Sequence, residues 1–451
     1  MSSATSITVV MPYVAITLLV VFCTNFRWSL STAMLKDLII YKVPTKEQVA
    51  EQRRKEHEKA NKLSQRKKSA KRTDDEPEEQ LMLIPTSAEG LLSRAFFTDF
   101  DKLVFLVSVV VANLLLGQAL YLIQTEKRAQ DGGAVLTCFA IVAVITATFS
   151  LFSTQYNRFL TPQIERSMTY LVGGASFLCA LLVLVSIPTE ILDFELEEAS
   201  AAVSLSMKRN VLGRFGIVDG TAEVPVAVLQ LILPIFAGFL GGAATAPAVR
   251  AVRCYALANS PPDWSEGHLS RGFFVKAAFH LNMVVPLAVV VLWVRPLVEE
   301  PLELSPDLVV TLRAGACMLA GLLMLGMLRP QVQTFLDNGM VVWYECIYGS
   351  ATTSSAEKEK LSTNVRLHLE LNSTLLCKVA LQMLGPAVIL VSFATLIWHK
   401  GVMTQYLNTD FSFVPPILVK GTASFLAWWF CCVWTVISYV TLGMFRYGKL
   451  M

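Results

Sequence analysis

The chain has 451 residues, 54% of them hydrophobic and only 16% charged, with a mean hydropathy of +0.53 and a formal net charge of +3. A soluble globular protein carries about 25% charged residues, so this composition excludes a water-surrounded domain and makes the bilayer the solvent. Nucleic-acid binding finds no support beyond one basic strip.

Crossing about 30 Å of hydrocarbon takes roughly 20 apolar residues. Nine windows qualify: 7–25, 103–123, 134–155, 168–188, 226–248, 273–294, 309–328, 375–398 and 417–444. The runs are continuous, without the ten-residue alternation of barrel strands, so helices must satisfy the backbone inside lipid. The expected fold is an all-α integral membrane protein, a bundle of about nine transmembrane helices. Met1 to Ser6 lack a positive charge, so the first window reads as a retained helix and not as a secretory signal.

After that helix, residues 42–72 hold twelve Lys and Arg, and DDEPEE follows at 74–79. Such a segment cannot bury apolar surface and is expected to be a solvated helix or disordered. Basic residues near span ends resist translocation, which places the strip in the cytoplasm, the N-terminus outside and the C-terminus cytoplasmic. Of 38 Lys and Arg, this topology puts 27 on the inner side, 7 outside and 4 within spans. The strip is either a topogenic tether or a docking surface for anionic lipid, at about 1 kcal/mol per basic residue near the surface. Three regions follow: 1–41 with the first helix, 42–100 as a charged, partly disordered cytoplasmic segment, and 101–451 as an eight-helix membrane domain. Within the last, 331–349 is too interrupted by Asp337, Asn338, Gly339 and Glu345 to span, and fits an interfacial helix. The sequon at Asn372 falls on the cytoplasmic side, so no glycan is expected there.

Ionisable groups inside spans cost about 2.5 to 3.5 kcal/mol at the centre, and are functional candidates for that reason. They are Lys276, His280, Arg313, Lys378 and Lys420, and the nine windows contain no Asp or Glu. That absence weighs against a proton-coupled pump and a carboxylate-based enzyme. The four cations near span ends can snorkel to headgroups. His280 and Asn282 lie deeper, about 160 degrees apart around their helix. His280 is either tied to another helix, through Gln230, Gln382, Asn113 or Gln118, or lines a cavity. The candidate intramembrane polar site comprises Lys276, His280, Asn282, Arg313 and Gln382. Pro234, Pro286 and Pro386 should kink their helices, which can surround a cavity but is also ordinary in membrane spans. Gly238 and Gly242 form a small-residue spacing suited to close helix packing. The nine cysteines show no C-x-x-C pair and an odd number, so buried reduced thiols are expected and no zinc site or other cofactor. No P-loop, Rossmann, H-E-x-x-H or G-x-S-x-G motif is present in context, so no catalytic residue can be named.

Several stretches in order along the chain resemble the eukaryotic transmembrane protein 161 family. They are PIFAGFLGGAATAPAVR (234–250), FHLNMVVPLAVVVLWVRP (279–296), LRAGACMLAGLLMLGMLRPQVQTFL (312–336), VALQMLGPAVIL (379–390) and SFLAWWF (424–430), with a weaker echo at 165–177. The resemblance implies a polytopic membrane protein without known catalytic activity, whose animal members are linked to cation currents, excitability and oxidative-stress responses. It transfers no catalytic residues, and the charged segment after the first span departs from it. The first expectation is therefore a non-enzymatic protein that modulates ion currents or transport by associating with a channel or transporter. The alternatives are a transporter or channel in its own right, and a lipid-headgroup-binding or scrambling protein that uses Lys276 and Lys378. The membrane is the plasma membrane or an endomembrane.

Overall fold

The computed structural model describes residues 3–25, 29–44, 81–123, 133–157, 161–208, 223–265, 269–303, 305–348, 355–398 and 415–447. Residues 46–72 of the basic strip and the acidic run at 74–79 lie outside them, and so does the anionic-lipid expectation except at Lys42.

Apart from up to three residues at their ends, the nine windows lie on nine helices: α1 (Ser3–Asn25), α4 (Phe97–Ile123), α5 (Gly133–Tyr156), α6 (Gln163–Ser186), α8 (Val226–Asn259), α9 (Phe273–Val291), α11 (Pro306–Gly326), α14 (Leu376–Trp398) and α15 (Pro416–Arg446). Between them lie α2 (Leu30–Leu35), α3 (Ala88–Leu92), α7 (Leu196–Met207), α10 (Arg295–Leu302), α12 (Leu328–Tyr348) and α13 (Ser355–Thr374). Eight are long and apolar enough to cross a membrane, and in α1 the apolar stretch is the shorter Met11–Cys23. That stretch runs antiparallel to α4: Asn113 donates to Thr17 Oγ1 at 3.2 Å, and one turn away Gly117 faces the Tyr13 hydroxyl.

At the centre stands α14, buried at every position from Leu376 to Ile397. A helix that is apolar all round belongs inside a bundle, because it has no polar face to offer water. Here α11, α5, α4, α15, α12 and α8 cover it. One close backbone approach is at Gly321 of α11, where a Cβ would lie 3.1 Å from the Ala387 carbonyl and 3.0 Å from the Val391 amide. In lipid, where the hydrophobic effect does not join helices, such close backbone packing is a main source of association.

Besides those inside the bundle, polar contacts between remote parts of the chain gather at two ends. At one end Tyr41 and Arg271 meet Asp337, Arg94 meets Ser373, Arg366 meets the Pro44 carbonyl, and Glu165 meets Arg250. At the other end Asp193 meets Arg295, Glu195 meets Lys420, Glu299 meets Arg313, and Ser200 meets the Val224 carbonyl. Every pair joins loops or helix ends that nine alternating crossings assign to one side.

Two short strands, β1 (Ile39–Lys42) and β2 (Met82–Pro85), pair antiparallel with Lys42 opposite Met82. The two strands flank the charged segment, whose residues 45–80 lie outside those described. Two four-residue strands are marginal alone, and this pair is held by α12. Gln333 takes the place of a further strand, its Oε1 accepting the Ile39 amide at 2.9 Å and its Nε2 donating to the Ile39 carbonyl at 3.3 Å. The sequon residue Asn372 is buried, and Arg94 Nη2 donates to the Ser373 hydroxyl at 3.3 Å. A glycan has no room there, so treatment of the purified protein with an endoglycosidase should leave its mass unchanged; a shift traced to Asn372 would contradict both the burial and the sidedness.

Candidate functional site

The richest polar constellation centres on Asp337, which α12 turns inward on the face it shares with Gln333 one turn earlier. Its Oδ1 accepts from the Tyr41 hydroxyl at 3.0 Å and from Gln333 Nε2 at 2.8 Å, and its Oδ2 accepts from Arg271 Nη2. Arg271 also reaches the Thr334 hydroxyl at 3.5 Å. Three separate pieces thus converge on one carboxylate: β1, the loop that opens α9, and α12. Burial is the largest influence on the Asp337 carboxyl and raises its pKa, while the bonds from Gln333, Arg271 and Tyr41 pull the other way. Burial and the neighbouring carboxylate push the Tyr41 phenol well above its usual range, so it stays a donor.

A second set lies inside the bundle. Lys378 and Gln382, one turn apart on α14, are both fully buried. Lys378 Nζ donates to the Thr161 hydroxyl at 2.7 Å, and Thr161 donates to the Thr154 carbonyl at 2.9 Å. Gln382 Nε2 donates to the Thr154 hydroxyl at 3.1 Å. The lysine expected to snorkel instead ties the central helix to the end of α5, because α14 has neighbours on all sides and leaves its stem no route outward. Beside it Arg250 Nη2 grips both oxygens of Glu165 at 3.0 and 3.1 Å, which fastens α8 to the first turn of α6.

The opposite end carries its own network. Arg313 Nη2 pairs with Glu299 at 2.7 Å, its Nε donates to the Leu292 carbonyl at 3.1 Å, and its guanidinium lies 5.3 Å from the Trp293 ring centroid. Glu299 also holds Arg295 at 2.8 Å, and Lys420 pairs with Glu195 at 2.6 Å. Next to this network opens a cavity of about 180 Å³ whose lining mixes Asp193, Glu195, Glu197 and Glu198 with apolar side chains such as Leu184 and Val226.

The residues expected to form one intramembrane site are held in different places. His280 is exposed on the outside of the bundle, its Nδ1 3.0 Å from the Tyr255 hydroxyl of α8, a partner other than the four amides expected. Asn282 is buried on the other face of α9, while Lys276 lies half-exposed one turn before His280. Arg313 belongs to the far network and Gln382 to the centre. Gly238 and Gly242 lie against α6, where added Cβ atoms would come within 3.1 Å of the Gly173 carbonyl and 3.2 Å of the Thr169 carbonyl. A docking partner therefore meets neither this glycine face nor the tryptophans of α15, Trp428, Trp429 and Trp434, which are buried. All nine cysteines are free; Cys23, Cys138 and Cys179 are exposed on apolar helices, where a thiol against lipid costs little. Among the described residues no group of three or more His, Cys, Asp or Glu side chains could hold a metal ion.

Asp337, Arg271, Glu165, Arg250 and Thr161 escape a reading confined to apolar windows: Arg271 and Thr161 lie in loops, Asp337 on the half-apolar α12, and Glu165 and Arg250 on the ends of α6 and α8 beyond the windows. The one visible signal was Asp337 four residues after Gln333 on an otherwise half-apolar helix.

Continuous apolar helices, a fully enclosed central span and ion pairs gathered at two ends define a polytopic α-helical integral membrane protein. The chain matches the family model described as predicted transmembrane protein 161AB over residues 4–412, and it belongs to that family. No solved structure matches it.

Proposed function

We propose that this is a non-catalytic membrane protein that modulates ion currents or transport through contact with other membrane proteins, with its Asp337 end in the cytosol and its Arg313 end outside. The observation that carries this reading is the enclosure of α14. A path for ions or solutes needs polar groups turned toward a continuous space. The two strongest polar groups of α14, Lys378 and Gln382, are turned toward Thr161 and Thr154 instead. His280, on the outside of the bundle, lines no route through it. Such ties make the helices one body, which suits a protein that acts by pressing on a partner. The test is reconstitution of the purified protein alone in liposomes, followed by flux of sodium, potassium and chloride and by a lipid-scrambling assay. All four signals should match protein-free vesicles. Flux that scales with protein and disappears in Gln382→Leu would replace this reading with a conducting one.

A further inference from the structure

Arg250 uses only one nitrogen on Glu165; its Nη1 is buried and meets no acceptor among the described residues. The same holds for Nε of Arg166, the residue after Glu165. Arg253 is exposed one turn along α8 from Arg250, and Lys378 is held by Thr161, four residues before Glu165. The cations that the chain sets beside this pair, Arg166 next to Glu165 and Arg253 one turn from Arg250, thus outnumber its one carboxylate, whose two oxygens are already taken. An enclosed guanidinium N–H without an acceptor is costly, and the cost falls when a charged acceptor arrives.

The occupant that such a site accepts has several anionic oxygens in a compact group, which is the chemistry of phosphate. The position argues for a phosphate carried by a lipid. At about 1.5 Å per residue the 34-residue α8 exceeds the hydrocarbon thickness, so its Arg250 to Asn259 end reaches headgroup level. On the flank, α6 turns Ile164, Met168 and Leu171 outward, half to three-quarters exposed and apolar, as a surface for acyl chains. We propose that Arg250, Arg166 and Arg253 bind the phosphate of an anionic lipid in the leaflet at the Asp337 end.

The experiment follows thermal unfolding of the full chain in detergent while phosphatidic acid, phosphatidylcholine or inorganic phosphate is titrated in. Phosphatidic acid should raise the midpoint saturably and phosphatidylcholine should not. Arg166→Gln, which leaves the Glu165 pair intact, should weaken the apparent affinity about tenfold, the worth of one charge-assisted hydrogen bond. Arg253→Gln should weaken it by a smaller factor. Arg250→Gln strands Glu165, so it is made as Glu165→Gln with Arg250→Gln, and this pair should abolish the phosphatidic acid response. Lys102→Gln, on the surface, should change nothing. Equal shifts with both lipids, or unchanged affinity in Arg166→Gln and the double variant, would overturn the site. Inorganic phosphate acting as strongly as phosphatidic acid would overturn the lipid as its source.

Discussion

Asp337→Ala is expected to destabilise the protein by about 3 kcal/mol, the lower part of the range for breaking a buried ion pair, because Arg271 is a quarter exposed and part of its charge is screened. The loss has two sources. Arg271 keeps its charge in a partly buried place without a counter-ion, and the Tyr41 hydroxyl and the Gln333 amide each lose an acceptor. Because Gln333 also holds both backbone groups of Ile39, the β1–β2 ladder should loosen with it. Tyr41→Phe removes one hydrogen bond and should cost about 1 kcal/mol. Thermal unfolding in detergent reads both, and hydrogen exchange at residues 39–42 and 82–85 reads the ladder. If the ladder keeps its protection in Asp337→Ala, the carboxylate is not what holds it.

The same carboxyl gives a pH dependence with a definite sign. Its folded pKa lies above the ordinary value, so between those two pKa values the folded state binds more protons than the unfolded one. Its contribution to stability therefore rises as the pH falls through the folded value toward about 3.8, where it levels off. Wild type should accordingly gain stability relative to Asp337→Asn as the buffer is acidified across that window. The opposite slope would mean that the bonds from Arg271, Gln333 and Tyr41 outweigh burial.

Much of the membrane architecture was legible in the sequence because a span is a local property. Twenty apolar residues declare themselves without knowledge of their neighbours, and each of the nine windows, apart from up to three end residues, lies on a helix. Contacts between elements are not local. Nothing along the chain says that Lys378 faces Thr161 rather than a headgroup, since an end-of-span lysine looks the same whether its helix is peripheral or central. The position of α14 decides it, and only the whole bundle sets that position. The strands are illegible for a related reason: IIYK and MLIP are separated by the charged segment, and Gln333, which holds the outer edge of IIYK, lies 294 residues from Ile39. Asp337 carries no local signal of its role either, because a carboxylate outside the spans is ordinary until three elements converge on it.

The α6–α8 contact is the most extensive between any two helices here, and it rests on backbone proximity that side chains would abolish. The small-residue spacing picks out Gly238 and Gly242, yet the tightest position is Gly241. A Cβ there would lie 2.3 Å from the Ser176 hydroxyl oxygen and 2.5 Å from its Cβ. Ser176 cannot yield freely, because its hydroxyl donates to the Ala237 carbonyl at 3.0 Å and accepts from Trp429 Nε1 at 2.7 Å, so one serine ties α6 to both α8 and α15. Gly241→Val should therefore combine overpacking with the loss of two buried hydrogen bonds, about 3 to 5 kcal/mol together. Gly238→Val and Gly242→Val should cost less, since their Cβ atoms would meet neighbours at 3.0 Å or beyond. Gly174→Val, on the outward face of α6 with nothing within 4 Å, should be tolerated and is the control for valine in that helix. Thermal midpoints from size-exclusion profiles after heating rank the four variants. A Gly241→Val protein as stable as Gly174→Val would show that the helices can separate without penalty, and that the bundle is not held by this approach of α6 to α8.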